Sequence, residues 1–150
     1  MTDYPLQKIR RYYESVVEDA LAVFSGDPIP VYTDNAYYAD KKGEKEFALV
    51  RLSFGDMHEL TIGGMMERLM GTLIVEIFVP KGKGPGRAQN LGEAVLVALA
   101  RINAGLYPAD AEVIARTGPI NGPRLTPLQS APHFQARLAC SIRASYRAPV

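Results

Sequence analysis

One stretch, RLMGTLIVEIFVPKGKGPG at residues 68–86, constrains the fold more than any other part of the sequence. Residues 72–79 are nearly all apolar, with Glu76 as the charged exception, which predicts a strand that is covered on both faces. The proline that follows cannot donate a ladder hydrogen bond, and a glycine-rich turn comes next. Helical spacing of apolar residues then predicts a helix from about Arg87 to Gly105.

Two other segments have a clear period. Between Ile9 and Phe24, apolar residues recur at steps of three and four, which predicts an amphipathic helix that ends at Gly26. Residues 133–147 alternate strictly, which predicts a strand with one apolar face and one polar face. The apolar positions of that strand are Phe134, Ala136, Leu138, Cys140, Ile142, Ala144 and Tyr146.

The segment between the first helix and the central strand is less regular. Residues 47–54 predict a strand, and residues 29–32 a short edge strand beside two prolines. Residues 55–70 form either a protruding hairpin arm or a mobile loop, and the hairpin is favoured. Its two arms are residues 57–62 and 65–70, with Gly63 and Gly64 at the tip.

The C-terminal third contains a segment rich in proline. Residues 112–117 predict a short strand. Residues 117–132 then contain four prolines and two glycines, which predicts a long loop without regular structure. A loop of that length within a compact domain is usually functional or disordered.

The order of these elements predicts an α+β protein. We expect a single mixed, mainly antiparallel sheet of about four to five strands, with two helices packed on one face and a protruding hairpin. At 150 residues, of which 47% are hydrophobic, residues 1–150 form one domain with a core of its own. A net charge of +1 provides no overall attraction to nucleic acid, and a single cysteine favours a reducing compartment. Neither a membrane span nor a signal peptide is predicted, which favours the cytoplasm.

The sequence contains no convincing catalytic, cofactor or metal motif. Residues 81–86 lack the hydroxyl residue of a P-loop and the spacing of a dinucleotide fingerprint. His58 precedes a glutamate, but Ile62 stands where a zinc-protease helix has its second histidine. Cys140 lies on the apolar face of its strand, which predicts an inert thiol.

Two surface patterns remain open. Arg137, Arg143 and Arg147 share the polar face of the last strand, as a solvated face or as an electrostatic surface towards a partner subunit or DNA. Four methionines, Met57, Met65, Met66 and Met70, crowd the predicted hairpin arm. They are either an adaptable contact surface or ordinary core filling.

Several of these segments resemble one known family, the small tail terminator proteins of long-tailed bacteriophages and prophages. Residues 28–35 are similar to the family's p-i-p-v-x-x-x-N, and the strand at residues 47–52 follows as it does there. Residues 68–84 are similar to R-x-x-G-x-x-x-V-x-x-F-V-P-x-G-x-G. The matching residues are Arg68, Gly71, Val75, Phe78, Pro80, Gly82 and Gly84.

The resemblance implies a structural, non-enzymatic virion protein without a cofactor. Such proteins form a ring, hexameric in the family, that caps the tail tube, ends its polymerisation and joins the head connector. They are assembled in the host cytoplasm and lie at the head-proximal end of the tail, with DNA passing through the ring and no membrane involved. The residues expected at the interfaces or the lumen are Met57, Met65, Met66, Arg68, Arg137, Arg143 and Arg147.

Two alternatives stay open at this stage. One is another head–tail joining or tail completion protein, which has a similar small α+β fold. The other is a small phosphate- or nucleotide-binding enzyme that uses the loop at residues 81–86.

Overall fold

The computed structural model describes residues 5–25, 29–33, 46–60, 66–80, 82, 84–103, 113–127 and 133–146. These residues form two helices and six strands. In chain order they are α1 (Pro5–Ser25), β1 (Val31–Tyr32), β2 (Phe47–Leu60), β3 (Met66–Pro80), α2 (Gly84–Asn103), β4 (Val113–Thr117), β5 (Asn121–Pro127) and β6 (His133–Tyr146).

The six strands make one mixed, mainly antiparallel sheet. Its order is β1-β2-β3-β6-β4, and β5 also pairs with β6, on the same side as β4. Only the β1–β2 pair is parallel. The predicted α+β class is therefore confirmed, with six strands where four to five were expected.

The hydrophobic core lies between the two helices and one face of this sheet, called here the inner face. Alternate residues of the long strands point into it, as the alternation of β6 predicted. From β6 the buried side chains are Ala136, Leu138, Cys140, Ile142 and Ala144. From the helices they are Ile9, Tyr13, Val16, Val17 and Leu21 of α1, and Ala88, Leu91, Val95, Leu99 and Ile102 of α2. Both described helices thus pack on the inner face.

Strand β5 corrects the prediction of a long irregular loop. It occupies residues 121–127 inside the segment that was expected to lack regular structure, so that prediction is wrong there. β5 is an edge strand that pairs only with β6, and an edge strand tolerates proline because one row of its N–H groups faces away from the sheet. Gly122 has a φ of 115°, a conformation that favours glycine over other residues.

The glycine-rich turn is also shorter than predicted. Helix α2 begins at Gly84 and ends at Asn103, three and two residues earlier than expected. Pro85 lies in its first turn, where backbone N–H groups have no acceptor within the helix. The N–H that proline lacks is therefore not needed there. The end of the glycine run therefore belongs to the helix.

The β2–β3 hairpin is confirmed by its backbone pairing. The two strands pair as far as Leu60 and Met66, with a register shift between Phe54 and Met57. β6 runs beside the second arm and reaches Met66 with Tyr146, so the hairpin extends the sheet. Its tip, residues 61–65, lies outside the described residues.

A side-chain clasp ties α2 to the edge of the sheet. The Asn103 amide nitrogen donates to the Thr117 carbonyl oxygen at 2.8 Å, and the Thr117 N–H donates to the Asn103 side-chain oxygen at 2.9 Å. Asn103 thereby satisfies both backbone groups of a residue at the end of edge strand β4. Within the described segments, the hydropathy of the helices is too low over their length for either to cross a membrane.

We predict that Gly71→Ala destabilises the protein by about 2–3 kcal/mol, because its new Cβ overlaps the backbone carbonyl of Ser53 on the neighbouring strand. Gly55→Ala is the control, since a Cβ there meets the Met70 carbonyl oxygen at an ordinary 3.6 Å. Urea unfolding of both variants measures the difference. Equal stability of the two would show that close strand approach does not require Gly71.

Candidate interaction surface

The sheet face opposite the helices, called here the outer face, has an aromatic cluster at one end. Phe47 of β2 and Phe78 of β3 are cross-strand partners whose ring centroids lie 4.7 Å apart in a stacked arrangement. His133 meets the Phe47 ring edge-on at 5.5 Å. These three side chains are buried, together with Leu49. The outer face thus has a small hydrophobic cluster of its own, separate from the main core.

Beyond this cluster the outer face becomes polar. Glu76, the one charged residue in the apolar run of β3, forms an ion pair with Arg51 at 3.0 Å and accepts a hydrogen bond from Gln135. Further along β3, Ile74 is only half-buried and Thr72 is exposed. On the outer face, the prediction that residues 72–79 are covered is therefore confirmed at Phe78 and at the largely buried Glu76, met in part at Ile74 and wrong at Thr72.

Arginine side chains occupy the outer face beside this polar region. The register places Arg116 of β4 directly opposite Arg143 of β6, and Arg124 of β5 directly opposite Arg137 of β6. All four residues are exposed. Cross-strand partners have Cβ atoms about 4.5–5.5 Å apart on the same face of the sheet. We call these four residues the arginine face.

Only half of the arginine face can be predicted from the sequence. Arg137 and Arg143 belong to one alternating strand, so the sequence alone places them on one face. Arg116 and Arg124 join them only through the pairing of strands that are far apart in the chain. The third predicted member, Arg147, lies outside the described residues.

A buried tyrosine supports one arginine pair from the inner side. The Tyr13 hydroxyl of α1 donates to the backbone carbonyl oxygen of Arg116 at 2.8 Å, and the carbonyl oxygen of Arg143 lies within 3.3 Å. Burial raises the pKa of Tyr13 well above its usual range, so the hydroxyl stays protonated and able to donate. α1 thus contacts the backbone directly beneath the Arg116–Arg143 pair.

Of the methionines predicted to form a contact surface, the structure describes the side chain of Met70 alone. The backbones of Met57, Met66 and Arg68 lie in the paired hairpin arms, but their side chains are outside the description, as is all of Met65. Met70 is 44% exposed on the outer face, opposite Arg143. Ile114, which is 52% exposed, lies on the same face at the same end of the sheet.

The two candidate catalytic or metal-binding residues, His58 and Cys140, do not lie at one site. His58 lies in the hairpin opposite Arg68, whereas Cys140 is buried on the inner face. Burial raises the pKa of the Cys140 thiol from 9.0 to about 11, which keeps it protonated at neutral pH. Among the described residues, no group of three or more histidine, cysteine, aspartate or glutamate side chains is placed to hold a metal ion.

Comparison with known proteins identifies the fold alone. No family model matches the chain, and no curated protein matches it. Nineteen chains of solved structures match, and one of them aligns over 99% of this chain and 99% of its own length. That alignment has a TM-score of 0.56 at 16% sequence identity, and the matching protein bears only a sequence identifier as its name. The fold therefore occurs elsewhere over the full length of the chain.

We predict that Tyr13→Phe lowers the free energy of unfolding by about 1–2 kcal/mol, because buried carbonyl groups lose their donor. Ser15→Ala is the control, since it removes an exposed hydroxyl from the same helix without this loss. Urea unfolding at pH 7 compares the two. An equal, small effect of both changes would mean that the Tyr13 hydroxyl does not support the sheet.

We also predict a specific loss of stability in alkali. A thiol with a raised pKa stabilises the fold fully below its unfolded pKa, and that contribution is lost as the pH rises towards the folded value of about 11. Between pH 9 and 11 the Cys140 thiol should add a downward slope of up to about 1.4 kcal/mol per pH unit. Cys140→Ala removes this part of the slope, whatever its effect at pH 7. Parallel curves for the two proteins would contradict the assignment.

Proposed function

We propose that this protein is a structural component of a long-tailed bacteriophage. It assembles as a ring on the tail tube, ends tube polymerisation and forms the surface that joins the head connector. The proposal starts from the resemblance of residues 28–35 and 68–84 to the tail terminator family. It assigns no catalytic residue, cofactor or metal ion.

Three of the matching motif residues have structural roles in this chain. Gly71 allows β2 and β3 to approach closely, Val75 is buried in the main core, and Phe78 stacks in the outer aromatic cluster. A motif of this kind specifies a fold, and the function that goes with the fold lies in its surfaces. The evidence for the proposed contacts with the tail tube and between subunits therefore comes from the surfaces.

The observation that carries the proposal is the outer face at the hairpin end of the sheet. Met70 and Ile114 expose large apolar side chains there, on the two strands that flank β6. Large apolar side chains exposed at one end of a sheet are a candidate contact surface. We assign this end, with Met57, Met65, Met66 and Arg68 of the hairpin arm, to contacts with the tail tube protein.

A ring requires contacts between two different surfaces of each subunit. This sheet has two unlike edges: the short parallel strand β1 at one side, and the interrupted strands β4 and β5 at the other. Successive copies meet through such unlike edges in a ring that is hexameric in the family. Arg137, Arg143 and Arg147 then face the tube or the channel through which DNA passes.

The proposal is tested by adding the purified protein to tail tube protein during polymerisation. Electron microscopy measures tube length and locates the added protein, and native mass spectrometry measures its oligomeric state with and without tubes. We expect a ring-sized oligomer on tube ends, and tubes that stop growing. A monomer that never binds tube ends would overturn the proposal. Binding to the head connector with no effect on tube growth would instead identify another head–tail joining protein.

We predict that Ile114→Glu prevents capping of tubes, because it places a charge in the apolar contact. Val97→Glu is the matched control, since Val97 is 49% exposed on α2, away from the outer face. Both variants should remain folded by circular dichroism. Loss of capping in both variants, or in neither, would show that the hairpin end does not bind the tube.

A further inference from the structure

Among the residues that the structure describes, the arginine face has no carboxylate partner. Arg116 with Arg143 and Arg124 with Arg137 place like charges directly opposite each other, which is unfavourable in a sheet. Within the described segments, no carboxylate forms an ion pair with Arg124, Arg137 or Arg143. A bound anion would remove this repulsion.

The acidic residue opposite Arg137 does not supply that charge. Glu76 lies opposite Arg137 in the register, but its carboxylate binds Arg51 and Gln135 instead. It therefore neutralises Arg51, on the other side of β3, and leaves the arginine face positive. The exposed positive charge is local, because the net charge of the chain is only +1.

The spacing of the two pairs indicates how long the ligand must be. Arg137 and Arg143 are six residues apart on one strand, which corresponds to about 20 Å. The outer face between them carries Ala139 and Ser141 of β6, flanked on β3 by Thr72 and the half-buried Ile74. A ligand that meets both pairs must therefore present negative charge over about 20 Å.

Two negatively charged ligands, a second copy of this chain and duplex DNA, differ in the length over which they carry charge. An acidic turn of a second copy, with Glu18 and Asp19 exposed on α1 near β1, places its carboxylates on adjacent residues and reaches only one pair. Duplex DNA carries one negative charge per roughly 1.7 Å of its axis, so about 20 Å of it spans both pairs. The spacing therefore favours DNA.

We propose that the arginine face binds the phosphate backbone of duplex DNA, without sequence preference, through Arg116, Arg124, Arg137 and Arg143. Backbone contacts of this kind position DNA but do not read its sequence. That this face lines the channel of a ring rests on the proposed function. The binding itself rests on the four arginines.

The test measures the affinity of the full chain for a duplex of about 30 base pairs by fluorescence anisotropy, from about 50 to about 200 mM salt. Four phosphate contacts give a slope of log K against log salt near −3.6, or about 150-fold weaker binding over that range. Duplexes of unrelated sequence should bind equally. Each double variant, R116Q/R143Q or R124Q/R137Q, should reduce the slope to about −1.8.

The control is Arg101→Glu, on α2 away from the outer face. It changes the net charge from +1 to −1, as each double variant does, and should leave the slope unchanged. If Arg101→Glu weakens binding as much as the double variants, overall charge explains the binding and the proposal fails. It also fails if the double variants bind as the wild type does.

A second measurement separates DNA binding from subunit contact. Arg124→Glu replaces a repulsive pair with an attractive one, so the Tm should be unchanged or higher while DNA binding weakens. If the double variants change the oligomeric state without DNA, the arginine face contacts another copy and the proposal is overturned. Wild-type protein that caps tubes but does not bind DNA overturns this inference alone. DNA binding without capping overturns only the tail function.

Discussion

The register of β6 is the constraint on which the rest of this structure depends. β6 pairs with β3 along one side and with β4 and β5 along the other, so it determines the position of most of the sheet. Its side chains alternate between apolar residues and mostly polar residues that include Arg137 and Arg143. A slip of one residue would move both arginines into the core and the apolar set to the outer face. The cost of burying unpaired charge excludes that slip. The same alternation thus produces a core on one face and a basic surface on the other.

The core and the arginine face are linked through Tyr13. Its ring packs among the apolar side chains of the core, and its hydroxyl reaches the backbone of Arg116 and Arg143. The helix therefore holds the two strands at the point where their outer side chains repel each other. Asn103 acts in a similar way one residue further along β4, where it pairs with both backbone groups of Thr117. Hydrogen bonds and packing on the inner side thus offset the charge repulsion between arginine side chains on the outer face.

Elements that depend on the local spacing of apolar residues could be predicted from the sequence. Features that depend on the pairing of strands far apart in the chain could not. Both helices, the alternation of β6 and the hairpin follow from the spacing of apolar residues and glycines. β5 was missed because proline is unfavourable in a central strand, and sequence alone does not show that residues 121–127 lie at an edge. The aromatic cluster was missed for a related reason. Phe47 and Phe78 are 31 positions apart in the chain and become partners only through the β2–β3 register. The arginine pairs depend on a register of the same kind.

Net charge is a poor guide to the surface of this protein. Seventeen basic and sixteen acidic residues nearly cancel, which at the level of composition argues against a polyanionic partner. The fold separates these charges in space. Glu76 is held by Arg51 and Gln135, and Glu46 by Arg87 at the start of α2, so two carboxylates are occupied by partners outside the arginine face. The four arginines stay together on one face of a neutral chain. Weak, salt-sensitive contact is what such a surface provides, because few charges meet the ligand and the rest of the molecule adds no attraction. Contact of that strength suits the tail function proposed above, in which DNA passes through the ring without being retained.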